Sequence, residues 1–149
     1  MPYGTYDKQV LTEKDKDAAL TPIAVNAAAG DKFVITAREP ICITRFGVEI
    51  TTAYASQTTN QKISLDKRAT HNSDVGRVEL AAIELLNGYD DGHVYYKELQ
   101  TVNLDVGQQL VIEQQVAGAG AGVAGACNWH ICWHPRAEVA ANQSYMHKL

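Results

Sequence analysis

The sequence predicts an all-β fold, because short segments of strand-forming residues alternate with turn signals along most of the chain. These turn signals recur roughly every 8–12 residues, a spacing typical of sandwiches and barrels. No alternation of strands with long helical patterns is present, which argues against a parallel α/β sheet. An antiparallel β-sandwich of about eight strands, most simply a jelly roll, accounts for the pattern.

The clearest expected strand is residues 41–52, which are rich in β-branched and aromatic side chains. Within it Phe46, Val48 and Ile50 recur with a period of two, so we expect them to point inward together. Gly47 between them indicates a bulge or a close approach of another group to the backbone. The other expected strands are residues 22–25, 31–37, 61–66, 77–86 and 93–104, one segment around Leu110 and Ile112, and residues 128–134.

Residues 77–86 are ambiguous, because their apolar side chains fit either a helix or a strand and their Glu, Ala and Leu content favours a helix. The next six residues, 87–92, read NGYDDG and are a strong hairpin-loop signal. We therefore predict a strand at residues 77–86 that returns through this loop as residues 93–104.

The C-terminal third joins two expected strands through residues 117–126, which contain only Ala, Gly and Val. Such a run has little side chain to bury and loses much backbone entropy on folding, so we predict a connection and not a core strand. Two sets of side chains then alternate along the last strand. Trp129, Ile131 and Trp133 share one face, and His130, Cys132 and His134 share the other.

Size and charge narrow the classes of partner. A chain of 149 residues most simply forms one domain, which buries roughly 68–70% of its unfolded surface without needing a metal or disulfides. The net charge of −4 and the lack of a basic cluster beyond Lys67 and Arg68 argue against nucleic acid or a membrane as the main partner. The N-terminus lacks the apolar core of a signal peptide, and three cysteines without a pairing framework favour reduced thiols. We expect synthesis in the cytoplasm of the producing cell.

The chain divides into an N-terminal arm at residues 1–21, a β-sandwich domain at residues 22–138 and a C-terminal tail at residues 139–149. The arm is polar and mixed in charge, most strongly at residues 13–17, EKDKD. It is either a frayed terminus or an arm that becomes ordered on a partner by adding a strand to a neighbouring sheet. The tail is expected to form a short helix or a second arm.

The only candidate metal ligands with a shared face are His130, Cys132 and His134. Same-face neighbours on a strand are about 6.5–7 Å apart, which is wide for three ligands of one ion. Possible further ligands, Glu138, His71 and His93, have no diagnostic spacing, and the His-x-His pair of cupin enzymes is missing. No Gly-x-Ser-x-Gly motif or Walker phosphate loop is present. We predict no cofactor and no enzymatic activity.

A resemblance to a family comes from the block at residues 106–113, the Ala/Gly connection and the closing strand that ends at Trp133, His134, Pro135 and Arg136. This pattern over residues 22–138, with a polar arm before it, resembles the capsid decoration, or cement, proteins of tailed bacteriophages. The resemblance implies a homotrimer on the capsid surface of the virion, where it clamps neighbouring major capsid proteins.

The resemblance suggests contact residues and leaves two other functions open. Residues expected to touch the shell are Tyr3, Tyr6, Val10 and Leu11 of the arm. Gly118, Gly120 and Gly122 are expected at the trimer contact, where small residues let backbones approach. One alternative is a receptor- or glycan-binding virion module, which would need exposed aromatic side chains in a shallow groove. The other is a metal-dependent jelly-roll enzyme.

Overall fold

The computed structural model describes residues 22–69 and 74–136 together with the backbone of residues 9–12. These parts of the chain form strands and no helix, so none of them contains a helix that could cross a membrane, and the all-β prediction is confirmed. In chain order the strands are β1 (Gln9–Thr12), β2 (Ile23–Ala24), β3 (Gly30–Thr36), β4 (Ile41–Ala55), β5 (Lys62–Arg68), β6 (Val78–Glu84), β7 (Val94–Leu104), β8 (Gln109–Val116) and β9 (Ala124–Pro135).

The strands form two antiparallel sheets packed face to face. In the first sheet β9 pairs with β4, β4 pairs with β7, and the short strands β1 and β2 both pair with the free edge of β9. The second sheet has the order β3, β8, β5, β6. This nesting, in which the first and last strands of the sandwich lie side by side, is that of a jelly roll.

The core lies between the two sheets and follows the alternation of the strands. From the first sheet Phe46, Val48, Ile50, Trp129 and Ile131 are all buried, and from the second sheet Ile35, Ile63, Leu65, Leu110 and Ile112 are buried. The ring of Phe33 packs across the core on Trp129, with 5.5 Å between centroids. The predicted inward face of β4 is therefore confirmed, and the face of β9 that carries Trp129 and Ile131 points into the same core.

The predicted hairpin after β6 is wrong, although β6 is a strand as expected. β6 pairs with β5 in the second sheet and β7 pairs with β4 in the first sheet, so residues 85–93 cross from one sheet to the other. Backbone bonds explain the crossing, because Gly88 and Gly92 donate to the carbonyls of Tyr54 and Ile50 on β4. The loop thus pairs with β4, which extends three residues beyond its predicted end at residue 52.

None of the three cysteines forms a disulfide, in agreement with the reduced thiols that the sequence predicted. Cys127 is fully buried in the core, whereas Cys132 lies on the opposite face of β9 and is partly exposed. Burial raises the pKa of the Cys127 thiol to about 11, which keeps it protonated at neutral pH. This thiol is part of the buried core.

Candidate functional site

A largely apolar cleft of about 230 Å³ opens between the sheets at the end of the sandwich where β3 ends and β4 begins. We call this the open end. It is lined by Ile35, Thr36, Ala37, Arg38, Glu39, Ile41, Ile43, Leu110, Ile131 and Trp133. Ligand pockets for drug-sized molecules occupy roughly 300–1,000 Å³, so this cleft is better matched to one or two apolar side chains of a partner.

The local sequence explains why the cleft stays open. Ala37 carries too little side chain to fill the space, and the turn at residues 38–40 takes the chain from one sheet to the other. Backbone bonds hold this turn, because the amide of Ala37 donates to Gln108 and the amide of Arg136 donates to Pro40, both at 2.9 Å. Trp133 forms a partly buried wall, and Arg38 and Glu39 are exposed on the rim.

The opposite end of the sandwich is closed by buried polar side chains, and we call it the sealed end. Gln61 and Gln114 are completely buried, and Gln57 is 7% exposed. The hydroxyl of Tyr54 donates to Gln61 at 2.5 Å, and the Gln61 amide donates to Gln114 at 2.9 Å. Gln57 donates to the carbonyl of Leu85 and accepts from the backbone amide of Gln61. The hydrogen bonds of these amides tie several loops together.

The glycines of the Ala/Gly connection pack against the sealed end. A Cβ atom at Gly118 would overlap Val25 and come within 2.7 Å of Gln57, and one at Gly120 would overlap the carbonyl of Ser56. The close approach that small residues allow therefore occurs within the chain at these two positions. Gly122 has no neighbour within 4 Å of such an atom and a φ of 69°, as its turn requires. The trimer contact expected at these three glycines stays a prediction.

The three candidate metal ligands do not converge. His130, Cys132 and His134 occupy successive rows of the first sheet, opposite Gly47, Arg45 and Cys42 on β4. Among the residues that the structure describes, no group of three His, Cys, Asp or Glu side chains could hold a metal ion. His93 lies just before β7, and Glu138 and His71 fall outside the described residues.

Instead, these side chains lie on the outer face of the first sheet, where the best defined contact is made by His130. The ring of His130 covers Gly47, which explains the glycine in β4, since a Cβ atom there would overlap the ring. The predicted close approach at Gly47 is confirmed, and the irregularities of β4 against β9 lie elsewhere, the nearest of them between Ile43 and Arg45 and between Ile50 and Thr52. Burial lowers the pKa of His130, and burial raises the pKa of Cys132. Both side chains therefore favour their neutral forms.

A charged network that the sequence analysis missed covers the outer face of the second sheet. Arg77 bonds to Asp66 and Asp31, both at 2.8 Å, and to Asp74 at 3.0 Å. Asp66 is only 5% exposed, and its second carboxylate oxygen is buried without a partner among the described residues. The hydrogen bond from Arg77 lowers the pKa of Asp31. This network fastens the segment before β6 onto the sheet.

Strand β1 borders the open end and contains two of the four arm residues proposed to touch a shell. Val10 pairs with Cys132 and Leu11 pairs with Ile131, in the sheet of the same chain. Gln9 pairs with Trp133, a wall of the cleft. Tyr3 and Tyr6 lie outside the described residues, so the contact role of the arm stays a prediction.

The two ends and the two outer faces differ in what they can do chemically. The sealed end and the charged network are internally bonded, whereas the open end presents an apolar cleft beside an edge strand. No protein-family model matches the chain, and no curated protein matches it. Its function is therefore inferred from the chemistry of these surfaces.

Proposed function

We propose that this protein is a structural component of a phage virion that binds the outside of the capsid and stabilises it by clamping neighbouring major capsid proteins. The open end is the docking surface in this proposal. The observation that carries the proposal is the apolar cleft between Ile35, Leu110 and Trp133 at the open end of the sandwich. The virion setting rests on the resemblance in sequence pattern.

The cleft has the properties of a protein-docking site. Its floor is formed by Ile43, Leu110 and Ile131, each no more than 1% exposed, so an inserted side chain would lose its contact with water. Buried apolar anchors surrounded by a polar rim carry most of the binding energy in protein interfaces. Here Arg38 and Glu39 supply both signs of charge on that rim. Charges on such a rim contribute more to the orientation of the partner than to the affinity of binding.

Stabilisation of a shell requires binding and no chemical step. A protein that binds only the assembled shell stabilises it in proportion to occupancy, by mass action. Clamping also requires that one copy engage two neighbouring subunits. In this proposal the open end binds one subunit, and Tyr3, Tyr6, Val10 and Leu11 of the arm bind the next. Self-association as a trimer would multiply both contacts.

The two alternative functions have less support among the described residues. Tyr96 is a half-exposed aromatic side chain on the outer face of the first sheet, as a glycan site would need. However, the guanidinium of Arg45 lies 4.1 Å from the centre of its ring and covers one face. The separation of His130, Cys132 and His134 into three rows disfavours a metal-dependent enzyme.

The test is co-sedimentation with shells assembled from the major capsid protein of the phage that encodes the chain. We expect the wild-type protein to sediment with the shells and the Trp133→Ala variant to bind at least about 30-fold more weakly, the loss typical of an interface hot spot. Arg38→Glu should slow association with little change in folding. Lys97→Glu makes the same charge change on the exposed surface of β7 and should bind as wild type.

Two results would overturn the proposal. One is a wild-type protein that does not sediment with the shells. The other is a folded Trp133→Ala variant, verified by its circular dichroism spectrum, that binds them as tightly as wild type.

A further inference from the structure

Among the described residues, strand β1 is joined to the first sheet through its pairing with β9. It pairs with residues 130–133 of β9, and β2 pairs with Ala126 and Cys127 on the same edge. The two short strands therefore follow one another along one edge. Between them the free edge of β9 spans only the three steps from Cys127 to His130, or about 10 Å at the usual rise of a strand.

The chain between β1 and β2 is much longer than this gap. Two residues would suffice if β1 simply continued into β2 along the edge, whereas residues 13–22 separate Thr12 from Ile23. An extended chain of that length reaches roughly 33–36 Å. Its first part, EKDKD, is fully charged and suits solvent. The segment can therefore carry β1 well beyond its own sheet.

The backbone groups of β9 that pair with β1 of the same chain can pair in the same way with β1 of another copy. The strand pairing uses backbone groups of residues 130–133, and Gln9 takes its position beside Trp133 of the cleft. Exchange of an identical element between copies creates no new kind of contact, which makes it a low-cost route to oligomers.

We propose that β1 is an exchangeable strand, and that in the assembled protein Gln9–Thr12 of one copy pairs with β9 of a second copy. The short connection between β1 and β2 holds β1 at an effective concentration on the order of 1 mM at its own β9, so free dilute protein closes on itself. Copies held side by side reach comparable concentrations and exchange strands. If each copy donates its β1 to the next copy in the same direction, the chain of exchanges can close into a ring. A trimer would form in this way.

This inference deepens the proposed function, because strand exchange would link copies on a shell, but it is tested without a shell. The register supplies a direct test, since Val10 and Cys132 are paired and directly opposed residues of antiparallel strands lie about 4.5–5.5 Å apart at Cα. That separation suits a disulfide. A Val10→Cys/Cys132→Ser chain has the thiol on β1 and none on the facing position of β9.

The experiment mixes this variant with a wild-type chain that carries a size tag. Both are refolded together at about 1 mM, near the effective concentration of a short linker. They are then oxidised and separated by denaturing, non-reducing electrophoresis. A disulfide to Cys132 can then form only between two chains. Cys42 and Cys127 are buried and should not react. The control replaces Val10→Cys with Val106→Cys, a position 62% exposed in the turn between β7 and β8, in the same Cys132→Ser background.

We expect a mixed covalent dimer at more than about tenfold the yield of the control, falling as the chains are diluted below the effective concentration of the linker. A yield equal to the control would overturn the inference. So would a Val10→Cys single variant that, at the same concentration, forms only its internal disulfide. Shell binding by the wild-type protein is measured separately, so failure of exchange and failure of the proposed function are distinguishable.

Discussion

The two ends of the sandwich are built from opposite chemistry. At the sealed end buried amide side chains bond to one another and to loop carbonyls, and glycines let the covering connection approach closely. At the open end the same core reaches the surface as an apolar cleft with Trp133 as one wall. The sealed end is bonded through three buried glutamines, whereas the cleft of the open end is mostly apolar and has a side-chain hydrogen bond from Gln109 to Thr36 beside it. In the proposed function, the sealed end supplies stability and the open end supplies binding.

The reason for this division is energetic. A buried amide that loses its partner costs roughly 1–3 kcal/mol, so a buried network is a place where substitutions are expensive. The apolar side chains that line a cleft make no such bonds, and burying their surface against a partner is favourable in free energy. Substitutions in the apolar cleft are therefore expected to cost less stability than substitutions in the buried network.

The largest expected effect is at the sealed end. Gln61→Met keeps the side-chain volume but leaves the Tyr54 hydroxyl and the Gln114 carbonyl oxygen without the partner they have now. We expect the free energy of unfolding to fall by roughly 2–6 kcal/mol, the cost of two unpaired buried groups. Urea denaturation measures it. The matched control is Gln115→Met at an exposed position of β8, where a change within about 0.5 kcal/mol is expected.

If the Gln61→Met and Gln115→Met variants lost equal stability, the buried amides would not be what holds the sealed end. The contrast between the two ends would then have no energetic basis.

A smaller effect is expected between the two ends, at His130 in the middle of β9. Burial lowers the pKa of His130 in the folded protein below its value of 6.5 in the unfolded chain. The unfolded state therefore binds the proton first as the pH falls. Stability should be complete above about pH 6.5 and decline as the pH drops through the lowered pKa of the folded state.

The measurement is the urea midpoint of the wild type and of His130→Gln between pH 7.5 and 5, a window about the unperturbed histidine pKa. The midpoint of the wild type should fall more steeply than that of the variant. Parallel pH profiles would show that the ring on Gly47 is not held in its neutral form.

Much of the fold could be predicted because each strand carries its own signal. The period-two pattern of Phe46, Val48 and Ile50 depends only on neighbouring residues, and so does the two-faced pattern of β9. The crossing at residues 85–93 was missed for the same reason. NGYDDG marks a turn, but only pairing with β4 decides which sheet receives the next strand. Local turn chemistry does not encode that choice.

The candidate site was less predictable, because its parts come together only in the packed sandwich. Ile35, Leu110 and Trp133 each look like ordinary core residues, and the cleft exists because Ala37 and the turn after it leave space between the sheets. The outer face of β5 gives a similar lesson. Asp66 and Arg68 belong to a run of three charged residues, which is typical of a solvated segment, yet Arg77 and Gln109 bury them. Gly118 and Gly120 approach other parts of the same chain closely, and the trimer contact expected at them stays a prediction.

The measurement that tests the central claim most directly is hydrogen exchange by mass spectrometry on the protein bound to shells and free in solution. Arg38 and Glu39 at the open end and Ala121 and Gly122 at the sealed end are all exposed in the structure, so their peptides report which end is covered. We predict slower exchange on the shell for the peptide that contains Arg38 and Glu39, with Ala121 and Gly122 unchanged. Protection of Ala121 and Gly122 with the open end unchanged would contradict the account.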